Sequence, residues 1–370
     1  MAAVSTAVLP AVSSLLECND FSQTLSPFLH QLSASHVLPL LRSEVSPTAW
    51  YLSTNPVVSA LLFALALSLV AFLAAEVNRN CSQVDRLWGA LPAFYLCHFA
   101  LWARWATGVA SERLDTLAFF SVLWGVRYPA LTLSGSGADN LVKLRLNYNF
   151  WRKGGYTVGH EDYRWAIVRS RMSKPAFMLL NLTFIALFQN LLLMAVALPA
   201  YVLLLCGTVK AEGSSAAATT IPMNTVDTVM LCLLVVLLAV ETKADQEQWT
   251  FQSSKRAYAE TGTVPHGFAA EDLDRGFVVR GLWSLCRHPN FTMEQAIWLA
   301  VYQWSCWQTG AFYNWTGLGA ASYLALFQSS TVFTEAISAA KYPDYAEYQK
   351  LVNKFVPGVP VFRRRDKKLD

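Results

Sequence analysis

Seven apolar runs organise this chain. Val57–Ala75 is nineteen residues without a charge, long enough for a helix to cross a bilayer. Further runs lie near 87–107, 114–133, 177–205, 225–240, 293–310 and 313–334, and each reads as a spanning helix. Pro199 interrupts the 177–205 run, so the pattern allows one long kinked helix or a helix followed by an interfacial piece. Two long polar loops interleave charge with aromatics. Tyr148, Phe150, Trp151, Tyr156, Tyr163 and Trp165 lie in one; Trp249, Phe251, Tyr258 and Phe268 lie in the other. Disordered segments are poor in aromatics, so both loops are expected to pack on the membrane core or cover a site. Residues 1–56 are rich in Ser, Leu and Pro. Within them, 1–50 lack the charged start and compact apolar core of a secretory signal. They read as a poorly defined lumenal lead or an interfacial helix, and 57–370 reads as a single domain. The fold class expected is all-α: a polytopic integral membrane protein with about seven transmembrane helices.

Composition agrees with that pattern. The chain is 54% hydrophobic and 15% charged, and its 13 Trp and 14 Tyr suit interfacial belts. The net charge of +4 becomes informative once it is divided by loop. With the C-terminus in the cytosol, segments 76–86, 134–176, 241–292 and 335–370 hold 24 of the 29 Lys and Arg. The opposite face holds only Arg42, Arg113 and Lys210. This is a strong positive-inside asymmetry, and it puts the N-terminus outside or in a lumen. Arg104 and Arg127 lie within apolar runs and can snorkel to the interface or pair with a buried carboxylate. The 7 Cys include no Cys-x-x-Cys pair, and no His-Cys cluster suggests a metal, so free thiols and no metal site are expected. Asn314-Trp315-Thr316 is a glycosylation sequon on the lumenal face. It lies close to the bilayer and is not expected to be used.

Several clusters can carry chemistry. In Arg287-His288-Pro289-Asn290, Pro289 fits the first turn of a helix, where its missing N–H costs nothing. The free N–H groups that follow, with the helix dipole behind them, can hold an anion such as a phosphate. Glu241, Asp245, Gln248 or Trp249, and Gln252 share one face of a helix at the end of the fifth run. That face is either a solvated collar or the lining of a cytosolic pocket whose carboxylates bind ribose hydroxyls or amides. Arg152 and Lys153 precede Gly154-Gly155, where backbone can approach a ligand; a plain turn explains them equally well. Asp85 sits at the entry to the second run, and His98 on that run reads as a core histidine. Lys341, Tyr342, Tyr345 and Tyr348 form a basic-aromatic patch, either an interfacial anchor or a wall of the same pocket.

Taken together these segments resemble the membrane reductases with a steroid 5-alpha-reductase C-terminal domain. The resemblance is to their relatives carrying an Arg-His-Pro-Asn-Tyr-Phe-Gly-Glu motif. It is carried, in order, by VDRLWG at 84–89, RLNYNFWRKGGY at 145–156, EDYRW at 161–165, ETKADQEQWTFQ at 241–252 and GLWSLCRHPNFTMEQ at 281–295, followed by Lys341-Tyr342-Pro343. The resemblance implies that Arg287, His288, Asn290, Glu294, Glu241 and Asp245 face NADPH, with Arg152, Lys341 and Tyr342 as further contacts. Asp85 and Tyr148 are the candidates for polarising a substrate carbonyl and supplying a proton. One departure stands out: Met293 replaces the family's Gly and Thr292 its aromatic.

The reaction so implied is NADPH-dependent reduction of an activated C=C bond in a lipophilic, enone-like or sterol substrate, at the endoplasmic reticulum membrane. A membrane methyltransferase of the isoprenylcysteine carboxyl type shares the His-Pro and Glu signature and would take S-adenosylmethionine at the same mouth. A non-catalytic binding or scaffold protein is the third class. The partners expected are the bilayer and a lipophilic small molecule. No motif points to nucleic acid, and the sequence carries no signal for an oligomeric state.

Overall fold

The computed structural model describes residues 8–126, 157, 159–209 and 220–359. It is mostly helical. The strands among the described residues are a two-residue parallel bridge, Ala110–Ser111 with Thr220–Ile221. Three helices are long and apolar enough to cross a membrane: Pro56–Asn78, Lys174–Cys206 and Thr225–Thr261. The other apolar runs are helical too. Leu91–Thr107 and the described part of the next, Glu112–Val126, are short for a span, at 17 and 15 residues. Pro289–Thr309 and Gly317–Lys341 are long enough, but Gln295, Gln303 and Gln308 dilute one, and Gln328 to Thr331 the other.

The 174–206 segment is one helical run with local breaks. Asn181–Phe188 is π-helical, and a turn at 196–198 resets the chain so that Pro199 opens the last piece. A proline at a helix start loses no backbone bond, so the break falls just before it.

The chain divides into two compact units, one of residues 1–231 with 301–322 and one of residues 232–300 with 323–370. The described residues 8–56 fall in the first unit. The stretch from residue 8 is also better tied down than a loose lead. It forms short helices that bury Cys18 and Thr24 completely. The reason is a polar knot around Asn55. Its N–H donates to Gln31 (2.8 Å) and its amide to the Tyr201 hydroxyl (3.0 Å), which donates to the Thr24 carbonyl (2.7 Å). Buried polar groups must find partners, and here they are found across the fold.

In the same unit, Leu91–Thr107 packs against Glu112–Val126, and Pro56–Asn78 against the 174–206 run. Gly108, at φ +72°, ends the Leu91–Thr107 helix, and its N–H closes on the Arg104 carbonyl (3.1 Å). His98 is a satisfied core residue, bonded to the Tyr51 hydroxyl (2.8 Å) and the Pro56 carbonyl (2.9 Å). Arg104 pairs with Asp115 at 2.5 Å, while Arg127 lies outside the described residues. Asp227, fully buried, takes Arg113 Nε at 2.6 Å, Trp304 Nε1 at 2.7 Å and the Gln308 amide. Asp227 and Asn224 also cap each other reciprocally at the start of the Thr225–Thr261 helix (2.8 and 3.0 Å). Asn314 of the sequon is buried. Its amide donates to Ser305 (3.0 Å) and its carbonyl accepts from the Thr316 N–H (3.0 Å), which closes the sequon to a modifying enzyme.

The second unit is built on the far part of the Thr225–Thr261 helix. Its 37 residues make a rod of about 55 Å, well beyond the roughly 30 Å hydrocarbon thickness of a bilayer. The unit has two aromatic clusters, the first of them on the part of this helix past the apolar run 225–240. Phe251, Leu273, Val278 and Trp283 form one; Phe277, Tyr345, Tyr348 and Val352 form the other. The loop aromatics Phe251, Tyr258 and Phe268 therefore pack, as their composition led us to expect.

Candidate functional site

The second unit brings the acidic helix face and the Arg-His-Pro-Asn segment together. Glu241, Asp245, Gln248 and Gln252 recur at three- and four-residue spacing on the Thr225–Thr261 helix. Glu241 is almost wholly buried, and Asp245, Gln248 and Gln252 are partly buried. The helix Pro289–Thr309 starts at Pro289, as its sequence predicts. Its second residue, Asn290, donates its amide to Asp245 Oδ1 at 3.1 Å. That bond fixes which way the amide points, because a carboxylate accepts and does not donate. Asn290 Oδ1 is then turned into the unit, buried and without a hydrogen-bond partner among the described residues. Gln248 Oε1 is in the same condition. Buried acceptors without donors are uncommon and mark a place where a donor group is expected. One turn along, buried Glu294 accepts from Trp298 Nε1 (2.9 Å) and from the Tyr323 hydroxyl (2.8 Å).

Arg287 and His288 stand at the helix start, but their side chains turn inward and not toward a ligand mouth. Arg287 grips Glu335 with two parallel bonds (2.6 and 3.0 Å). Its remaining terminal nitrogen donates to the carbonyls of Gln349 (2.9 Å) and Val352. Four of its five N–H donors are thus committed within the unit. His288 Nε2 bonds Glu335 Oε1 at 2.8 Å, and the Gln349 amide reaches Oε2 at 3.0 Å. Glu335 lies just past the apolar run 313–334. Burial works to raise its carboxyl, but the bonds from His288, Arg287 and Gln349 outweigh that and hold it at about 2.

The tail completes the arrangement. After the helix Tyr345–Leu351 the chain runs along residues 285–292. The Arg287 and His288 N–H groups donate to the Asn353 (2.8 Å) and Lys354 (3.1 Å) carbonyls, and the Gly358 N–H to the Leu285 carbonyl (2.8 Å). Thr292 Oγ1 donates to the Phe355 carbonyl at 2.8 Å. Its hydroxyl, standing where the resembled family has an aromatic, therefore helps to hold the tail. Met293 is partly buried in the first turns of the same helix.

Tyr342 forms a separate corner. Lys255 Nζ donates to its hydroxyl (3.3 Å) and to the Gly276 carbonyl (2.9 Å), and Lys341 Nζ stands 5.3 Å from its ring centre. Gly276, at φ +85°, has no room for a side chain: a Cβ there would sit 2.4 Å from the Tyr342 ring. Partial burial pushes the phenol up, but the two lysines prevail and lower it.

Asp85 belongs to the first unit. Its Oδ2 accepts from Trp165 Nε1 at 2.9 Å, and burial raises its carboxyl against that bond. It sits in a clamp joining two segments singled out by sequence. Cys81 N–H donates to Glu161 (2.7 Å), Asp162 N–H to Ser82 Oγ (2.9 Å) and Arg86 to the His160 carbonyl (2.9 Å). Arg169 holds Glu161 with two bonds (2.7 and 2.9 Å). Tyr148 and Arg152 lie outside the described residues. Among the described residues no group of His, Cys, Asp and Glu could hold a metal ion.

Three residues of the second unit have contacts that no sequence pattern signals. Glu335 and Gln349 lie beyond the motif that they serve. Glu247 accepts from the Leu282 N–H at 2.8 Å and fills the place a Cβ would need at Gly281. A carboxylate one turn from Lys243 on a polar helix end carries no local sign of that role.

No solved structure matches this chain. An uncharacterized protein of Schizosaccharomyces pombe is 34% identical over 351 residues, covering 94% of this chain and 93% of the relative. The family model described as "Protein of unknown function (DUF1295)" matches residues 140–354 and so spans the 160–169 side of the clamp and the Arg-His-Pro-Asn site. The chain belongs to this family, which is related to the steroid 5-alpha-reductase-like membrane proteins.

Proposed function

We propose that this chain is a multi-pass membrane reductase, using NADPH to saturate an activated C=C bond in a lipophilic enone or sterol. The observation that supports it is the Asp245–Asn290 contact, with Asn290 Oδ1 and Gln248 Oε1 left as buried acceptors beside it. Such a set fits hydroxyl and carboxamide donors, which a nicotinamide nucleotide carries on its ribose and base. Glu241, Asp245, Gln248 and Asn290 would hold those parts of the cofactor. Lys255 and Lys341, next to Tyr342, are the cations we assign to its phosphates. Bound there, the nucleotide would supply a hydride equivalent. In the first unit, Asp85, whose carboxyl burial raises, stays the proton-donor candidate that the resemblance suggests.

The commitment of Arg287 to Glu335 favours a second reading. With that guanidinium spent, the site is rich in acceptors and short of phosphate partners. S-adenosylmethionine has an ammonium, ribose hydroxyls and no phosphate, so the same face suits a methyltransferase.

A ligand that binds only the folded state raises its melting temperature, so thermal shift in detergent separates these readings. Stabilisation by NADPH and none by S-adenosylmethionine is the expected result. The reverse would select the methyltransferase, and no shift with either would select a non-catalytic protein. In the same detergent, Asp245→Asn is expected to weaken NADPH about tenfold to a hundredfold, the loss of one charged hydrogen bond worth about 1.5–3 kcal/mol. Equal dissociation constants would return Asp245 to a purely structural role.

The topology that goes with this reading has seven spans, a lumenal N-terminus and a cytosolic C-terminus in the endoplasmic reticulum. It rests on the 24-to-3 division of Lys and Arg. A cysteine introduced at Ser214 is expected to react with an impermeant maleimide only once the lumenal side is opened. Labelling from the cytosolic side would overturn this orientation.

A further inference from the structure

Two of the seven cysteines sit together at one end of the first unit. Cys18 lies in the short helix Glu17–Asn19, which packs against the helix Pro199–Cys206. Close by, Tyr201 ties the helix Pro199–Cys206 to the N-terminal segment: its hydroxyl donates to the Thr24 carbonyl (2.7 Å) and accepts from Asn55 (3.0 Å). At this contact the Cys18 and Cys206 side chains are neighbours. Cys18 is completely buried and Cys206 nearly so, and both are free thiols. The positions come from opposite parts of the chain, so their meeting is a product of the fold. Both segments, 1–56 and 206–224, fall on the face that carries three Lys and Arg, the lumenal face of the orientation above. Thiols on that side of an endoplasmic reticulum membrane meet an oxidising compartment, where protein disulfides form and persist.

We propose that Cys18 and Cys206 form a disulfide in the cell, stapling the N-terminal segment to the end of the 174–206 run. The proposal rests on the lumenal orientation and is independent of the reaction catalysed. In forming it, the two thiols give up two protons and two electrons, and one S–S bond is made. The electrons pass to the disulfide of a lumenal thiol–disulfide oxidant, which leaves as a dithiol by way of a mixed disulfide. Because both thiols become buried, the exchange takes place during folding, before Tyr201 closes the contact.

The test uses the full-length chain made in eukaryotic cells, acid-quenched, alkylated without reductant and digested for mass spectrometry. A sequon added at the N-terminus reports in the same sample whether that end is lumenal. The expected result is a glycosylated N-terminus and a reductant-sensitive Cys18–Cys206 peptide. Reductant is then expected to lower the melting temperature of the wild type by roughly 5 °C and to leave Cys18→Ser unmoved. A glycosylated N-terminus with both thiols alkylated would overturn the pairing while the orientation stands. An unglycosylated N-terminus with both thiols alkylated would overturn the orientation and the staple with it. Cys206→Ser provides the second variant, since losing either partner should abolish the link equally.

Discussion

Replacing Glu335 by alanine is expected to destabilise the folded chain by about 3–5 kcal/mol, the usual result of removing one partner from a buried ion pair. Glu335 answers Arg287 twice, His288 once and Gln349 once, and is itself 5% exposed. Without it a guanidinium stays buried against carbonyl oxygens alone, and the tail over residues 285–292 loses its anchor. The expected readout is a lowered melting temperature in detergent together with faster proteolysis after residue 345. The wild type should also show a pH dependence that the variant lacks. Glu335 is held at about 2, below the roughly 4.3 of a free glutamate, so the folded state prefers the ionised form. Its contribution is fully present above about pH 5 and fades as pH falls toward 2. A variant that melts within a degree of the wild type at pH 7 would show that the network holds nothing together.

Asp227→Ala is expected to cost a similar amount, about 3–5 kcal/mol, at the other unit. There the carboxylate meets Arg113, whose side chain is 7% exposed, and also satisfies Trp304, Gln308 and the Asn224 N–H. The cost comes mostly from the stranded Arg113 charge. Removing both partners in the double variant Arg113→Met with Asp227→Leu should therefore recover more than half of the loss, because an apolar pair of similar size replaces a buried ion pair well. Melting temperatures of the two single variants and the double one decide it. A double variant no more stable than Asp227→Ala would put the cost on the lost helix cap and the Trp304 bond instead.

Much of the fold was legible in the order of residues. Every apolar run with described residues is helical, Pro289 begins a helix, and the aromatics of the 241–292 loop are packed. The candidate site was legible as a face: Glu241, Asp245 and Asn290 were singled out, and Asp245 and Asn290 touch. The direction of Arg287 was not. Its motif suggests an anion mouth, but a motif specifies which groups are near a helix start and says nothing of competing acceptors. Glu335, 48 positions away, satisfies the guanidinium before any ligand arrives. The N-terminal stretch differs from its reading for a similar reason. A Ser-, Leu- and Pro-rich composition describes local propensity, while order there comes from Asn55 and Tyr201, 146 positions apart.

By itself, the sequence determined what depends on neighbours within a few residues. That includes the helical runs, the break before Pro199, the i, i+4 acidic face, and the Lys and Arg asymmetry on which the proposed orientation rests. Each follows from the 3.6-residue period, the missing N–H of proline or the cost of moving Lys and Arg through lipid. Tertiary structure alone decided how the buried charges and polar groups are matched. Arg113 meets Asp227 across 114 positions, Arg287 meets Glu335, and Cys18 lies beside Cys206. Burying a charge or an amide is costly until it is paired, and several residues could have served as the partner of each. Which one does is set by the packing of helices far apart in the chain, and no local pattern encodes it.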